Sequence, residues 1–165
     1  MPVRRHPVAT AKDEQMLSSM PLNLPLAQRL KATYRLVRTH DLQLAEIFYT
    51  KLFDAAPQLR ALFGSDLKAQ AKKLTSALDI VVANLERPSA NASLLAELGR
   101  RHAGYGAKPE HYDLVIQLLI ESMESLLGRA AEPAALEEWR IALRLVSDQM
   151  IAAATSAPAP NLPQD

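Results

Sequence analysis

Residues 67–87 read LKAQAKKLTSALDIVVANLER and stop against Pro88. Leu67, Ala71, Leu74, Leu78, Val81, Val82 and Leu85 recur at the three- and four-residue spacing that lines up one face of an α-helix. The short apolar run Ile80–Val82 would suit a strand in isolation, but it lies inside this longer stripe. No Asn-Gly or Asp-Gly hairpin turn occurs anywhere in the chain. The reading is helix.

The same period extends outward in both directions. Towards the N-terminus, Leu26, Leu30, Tyr34 and Val37 form a stripe that ends near His40. Asp41 is placed to cap a second helix carrying Leu44, Phe48, Leu52 and Phe53. A short turn after Pro57 leads to Phe63, and Gly64 and Ser65 open a loop. Towards the C-terminus, Leu94, Leu95 and Leu98 begin a shorter segment that fails at Gly104 and Gly106. Tyr112, Val115, Leu119, Met123 and Leu126 follow Pro109, and Leu136, Trp139, Leu143, Val146 and Met150 close the set.

Proline draws the domain limits. Of eleven prolines, only Pro57, Pro88, Pro109 and Pro133 are internal, and each falls between apolar stripes. A residue without an amide hydrogen is tolerated at a helix start and breaks a helix interior. The expectation is one all-α domain over residues 25–154. It is flanked by an N-terminal extension, 1–24, and a Pro/Ala-rich tail, 155–165, both of flexible composition. Residues 12–20 have the makings of a short extra helix.

Composition removes several functions. There is no cysteine, which rules out disulfides, thiolate metal sites and a cysteine nucleophile. Nineteen Lys and Arg against eighteen Asp and Glu give a net charge of +1, so no basic surface for nucleic acid or membrane is advertised. No apolar run approaches the ~18 residues of a membrane span, and no apolar stretch follows Arg4 and Arg5 as a secretory signal requires. The expected location is the cytoplasm. No Gly-rich phosphate loop, HExxH or ExxH pair, or GxSxG elbow is present, and the five glycines read as bends.

Four histidines remain. His6 lies in the N-terminal extension, His40 ends a helix, and His111 stands beside Glu110 near a helix start. His102 sits one turn beyond Leu98 on a segment that breaks at glycines. By spacing alone, such a histidine is more often an ordinary helix-end residue than a ligand. Phe48-Tyr49 lies mid-helix, and Gln70 shares a face with Leu74. A buried phenol and a buried amide facing one cavity call for a polar group between them. Taken singly, a phenol reaching water and a surface amide are the commoner explanations of Tyr49 and Gln70.

Taken together, the residues resemble the globin domain of bacterial haemoglobins and flavohaemoglobins. The resemblance starts in residues 32–49, ATYRLVRTHDLQLAEIFY, with TKLF, Pro57 and LRALF after it. It continues in QAKKL at 70–74, RRHAGYGAKPEHY at 100–112 and Trp139, covering residues 26 to 151. It implies a globin fold, a three-over-three helical sandwich of about seven helices around a haem b pocket. His102 would be the proximal iron ligand, with Leu98 one turn before it and Tyr112 as a pocket tyrosine. Tyr49 and Gln70 would face a diatomic ligand on the distal side, with Phe63 and Leu74 walling the haem. Lys73 or Arg101 would either meet a propionate or stay solvated.

Two departures qualify the resemblance. The chain has no glutamate after Glu138 to pair with Tyr112, and Asp148 comes about two turns too early for that role. The loop between Phe63 and Gln70 is shorter than in flavohaemoglobins. The expected function is reversible binding of O2, with CO and NO as further ligands, for storage, delivery or scavenging. Nitric oxide dioxygenation is the alternative, with electrons from a separate reductase because the tail has no room for flavin and nicotinamide domains. Gas sensing ranks third. Either a monomer or a homodimer is compatible with the sequence.

Overall fold

The computed structural model describes residues 10–12 and 26–156, with no strand among them. Residues 13–20 of the expected extra helix and most of both expected tails lie outside the described residues, while residues 11–12 are helical. Among residues 26–156, six α-helices follow in order: α1 (Leu26–Arg38), α2 (Asp41–Ala55), α3 (Leu67–Glu86), α4 (Pro88–Gly104), α5 (Pro109–Leu127) and α6 (Pro133–Thr155). Short 3-10 turns occupy Pro57–Leu62 and Gly128–Ala130.

Each internal proline opens an element: Pro57 the first turn, and Pro88, Pro109 and Pro133 helices α4, α5 and α6. Two local expectations are corrected. Asp41 is the first residue of α2 and not its cap; His40 precedes the helix, and the Asp41 carboxylate accepts from the Leu42 amide at 2.8 Å. Helix α4 begins at Pro88, well before Leu94, so only Arg87 separates it from α3. The cap on α3 is Asp66, whose Oδ1 accepts from the amides of Lys68 at 3.0 Å and Ala69 at 3.3 Å.

The helices pack in two layers. Helices α1, α3 and α4 adjoin in one, and α2, α5 and α6 in the other, with α2 crossing α3 and α4 crossing α6 between them. Most of the stripe residues are buried, Leu30, Val37, Leu52, Leu78, Leu95, Met123 and Trp139 almost wholly, but Leu67 and Leu94 are exposed at the ends of their stripes. Burial of such apolar area is the main drive for folding. Polar ties fasten the N-terminal helix. The Tyr34 hydroxyl donates to the Asp79 carboxylate and to the Thr75 carbonyl at 3.1 Å, while the Arg29 guanidinium grips Glu138 through Nε at 3.2 Å.

One glycine is not a bend. Gly99 lies within α4, and a Cβ placed there would stand 2.2 Å from the carbonyl oxygen of Met150 in α6. The two helix backbones therefore touch directly, and only glycine permits it. This contact sits one turn before His102.

Candidate functional site

Helix α2 carries Tyr49 on its buried face, 8 % exposed, and the N-terminal part of α3 carries Gln70, 7 % exposed. The Tyr49 hydroxyl donates to Gln70 Oε1 across 3.5 Å. That is long for an O–H···O bond, whose usual range ends near ~3.0 Å, so it holds the hydroxyl only weakly. Burial pushes the Tyr49 phenol up to about 12, which keeps it a neutral donor.

Phe63 completes this corner. Its ring meets Tyr49 edge-on at 5.4 Å and Phe53 at 5.8 Å, and Tyr49 stacks on Phe53 at 5.8 Å. The phenylalanine follows the Pro57–Leu62 turn and is only half-buried. Gly64 follows it, and a Cβ there would come within 3.0 Å of the Gln70 side-chain nitrogen. The missing side chain leaves room for the amide. Leu74, one turn beyond Gln70, is half-buried against the core.

A second cluster forms where α4 ends. His102 is exposed, and its Nδ1 lies 2.7 Å from the carbonyl oxygen of Leu98. A carbonyl can only accept, so Nδ1 carries a proton, and in the neutral imidazole Nε2 is then the nitrogen with the lone pair. That is the tautomer a metal-binding imidazole needs, with the second-shell carbonyl fixing its orientation. Tyr112, at the start of α5, has its ring 6.2 Å from the His102 ring, and burial raises its phenol. Leu98 is half-buried beneath.

The structure thus sorts the expected residues into two groups: Tyr49, Phe63 and Gln70, and Leu98, His102 and Tyr112. Helices α3 and α4 pack together and join them. The remaining expectations fare differently. Arg101 is paired with Glu97 on its own helix, and Lys73 is exposed. Asp148 lies on the exposed face of α6. His111 is half-buried, and its Nδ1 accepts from the Lys108 amide at 3.1 Å, which makes it a helix-start residue. The sequence shows neither the room that Gly64 leaves for Gln70, nor the contact at Gly99, nor the cap at Asp66.

Among the described residues, no group of three or more His, Cys, Asp or Glu is placed to hold a bare metal ion. His102 offers a single nitrogen instead. One imidazole with a ring nitrogen anchored on a carbonyl is the kind of donor that haem iron takes on its proximal side, and the Tyr49, Phe63 and Gln70 group provides apolar rings with one weakly held hydroxyl. The donor set fits haem.

The two-layer helical fold is that of a globin. The family model for Globin matches residues 46–150, and the chain belongs to that family. Among curated relatives, the flavohaemoprotein of Deinococcus radiodurans is 29% identical over 125 residues, covering 74% of this chain and 31% of the relative. That of Xylella fastidiosa is 31% identical over 113 residues, covering 67% of this chain and 28% of the relative. The chain spans about a third of the length of these relatives.

Solved structures agree on the fold. A bacterial globin from Campylobacter jejuni superposes with a TM-score of 0.69 at 22% identity, covering 79% of this chain and 94% of the other. A flavohaemoglobin from Malassezia yamatoensis, solved with FAD and haem bound, superposes with a TM-score of 0.68 at 21% identity, covering 81% of this chain and 37% of the other. Among the described residues, no helix is long and apolar enough to cross a membrane.

Proposed function

We propose that this globin binds haem b through His102 Nε2 and reversibly holds a diatomic gas, O2 foremost, on the side of Tyr49. When bound, haem iron supplies a coordination position for O2, CO or NO. The chain's own residues do the rest. The Leu98 carbonyl orients His102, Tyr49 donates a hydrogen bond to the gas, Gln70 positions the hydroxyl, and Phe63 and Leu74 keep water away.

The observation that carries this reading is the Tyr49 hydroxyl itself. It is buried and protonated, and its one hydrogen bond among the described residues, to Gln70, is 3.5 Å long. A buried donor left this poorly satisfied is costly in an interior, and a polar gas ligand in front of it removes the cost. A hydroxyl so weakly engaged turns to such a ligand without breaking a strong bond.

The test is absorption spectroscopy followed by stopped flow. Purified protein should show a Soret band that shifts on reduction and again with CO. Tyr49→Phe should then release O2 about tenfold faster, the loss of one hydrogen bond of ~1.4 kcal/mol, with CO release little changed. Equal O2 release by wild type and variant would remove Tyr49 as the donor.

The likeness to flavohaemoproteins favours one second reading, nitric oxide dioxygenation with electrons from a separate reductase. Sustained nitrate formation with a reductase and NADH present would establish it. A single stoichiometric burst would leave gas binding as the function.

A further inference from the structure

The segment after His102 is tied to the turn that carries the imidazole. The amides of Tyr105 and Ala107 donate to the His102 carbonyl oxygen at 3.1 and 2.9 Å. Gly106, between them, has a φ of 94°, a conformation that favours glycine and turns the chain sharply. A Cβ built on Gly106 would stand 3.9 Å from Leu62 Cδ2. The end of α4 therefore meets the end of the Pro57–Leu62 turn, although the two are far apart in sequence.

Two large apolar side chains face solvent at this junction, Tyr105 at 66 % exposed and Leu62 at 41 %. Cations flank them. Lys108 follows Tyr105, and Lys68 and Lys72 stand one turn apart on the exposed face of α3. None of these three lysines is in an ion pair among the described residues. The neighbouring acids are Asp66, whose carboxylate is bound to helix amides, and Glu110. Beyond Glu110 the balance reverses: the rest of α5 and α6 carries six Asp and Glu against two Arg.

An exposed apolar centre with a charged rim has the make-up of a protein interface. The charge on the rim selects the partner. In a two-fold contact with a second copy of this chain, the same patch would face itself and set lysine against lysine. An acidic partner gains where a second copy loses. Haem iron gives a reason for one: iron that has been oxidised takes up an electron to regain the ferrous state that binds O2.

We propose that this patch docks a small acidic protein bearing a reduced flavin, the electron donor to haem held at His102. The proposal rests on the haem-binding reading above. The flavin loses one electron, ferric iron gains it and becomes ferrous, and no atom is transferred. Tyr105 is the anchor of the complex, and Lys68, Lys72 and Lys108 steer the approach.

Docking is measured apart from electron transfer, with the CO complex of the globin and oxidised flavodoxin, a small acidic flavoprotein, as the probe. Amide NMR signals of Lys68, Lys72, Tyr105 and Lys108 should shift on mixing. Lys68→Gln combined with Lys72→Gln should lower the association rate about tenfold at low salt, with dissociation little changed. The difference should vanish at 1 M salt, where the screening length has shrunk to ~3 Å. Tyr105→Ala should instead raise the dissociation rate about tenfold. Arg87→Gln combined with Arg129→Gln removes the same charge from exposed positions off the patch and should alter either rate less than about twofold. With reduced flavodoxin and ferric globin, haem reduction should slow in step with association in the lysine variant.

Lysine variants that load haem and bind CO, yet associate with flavodoxin as fast as wild type, would overturn the docking surface and leave gas binding standing. NMR shifts confined to another face would do the same. Tighter binding of these lysines to phosphatidylglycerol vesicles than to flavodoxin would replace the protein partner with a lipid surface. A wild-type chain that takes up no haem would remove the gas-binding function, and the electron acceptor with it.

Discussion

His102 Nδ1 and the Leu98 carbonyl oxygen stand 2.7 Å apart, within a single turn of α4. The contact is local to the helix, so it forms whenever that turn forms, and it presents Nε2 as the free nitrogen. Removing the imidazole should remove the anchor but leave the helix. His102→Ala is expected to lose the wild-type Soret band, and millimolar imidazole added in solution should restore it. A variant that retained the full wild-type spectrum without imidazole would place the iron ligand elsewhere.

Gly99 tests how that turn is held against the rest of the domain. Its Cα faces the Met150 carbonyl so closely that a Cβ would sit at 2.2 Å, against backbone that cannot rotate away. Gly99→Ala must therefore push α4 off α6. Overpacking of this kind costs about 1–3 kcal/mol, and the added methyl gains little in helix propensity by comparison. Thermal unfolding should show a midpoint several degrees lower, about 3 °C per kcal/mol for a domain of this size. Haem loss to an acceptor globin should quicken because His102 lies on the displaced turn. A variant as stable as wild type would mean that the helices slide apart freely.

The contrast between Gly99 and the helical stripes shows what was legible. Leu30, Val37, Leu78 and Trp139 belong to periodic patterns, and periodicity is a property of one segment, so their burial could be read from the sequence. Gly99 depends on Met150, on a helix far along the chain, and nothing beside Gly99 encodes that approach. Helix α4 started earlier than expected for a related reason. Residues 88–93, PSANAS, include no large apolar residue, so no stripe announces them, and only proline at the first position marks the start. His102, Tyr49, Phe63 and Gln70 were marked by resemblance to a family. The 3.5 Å separation of Tyr49 and Gln70 is a tertiary fact, set by the packing of α2 on α3.

Asp66 offers a test of local stability close to the site. Its carboxylate satisfies two amides at the start of α3, four residues before Gln70. It also places negative charge at the positive end of the helix dipole. Asp66→Ala should cost about 1 kcal/mol in urea unfolding. Amide exchange at Lys68 and Ala69 should quicken, while that in the middle of α3 should not. Equal stability would mean that water replaces the carboxylate at no cost.

The Tyr49 phenol sets a pH dependence whose sign follows from its burial. In the unfolded chain, a tyrosine ionises near its ordinary value of 10; in the folded domain, desolvation raises this group to about 12. Between those values the unfolded state has lost a proton that the folded state still binds. Stability therefore falls as pH rises through this window, and the contribution is present in full below pH 10. Tyr34 and Tyr112, both shifted upward, act in the same direction and do not cancel it. Tyr49→Phe removes one titrating group and should flatten the decline. Urea unfolding at intervals from pH 9 to 12 should show wild type losing stability more steeply than the variant, with parallel behaviour from pH 7 to 9. Parallel curves throughout would mean that the Tyr49 hydroxyl meets water in the folded protein, which would also remove the poorly satisfied donor on which the gas-binding reading stands.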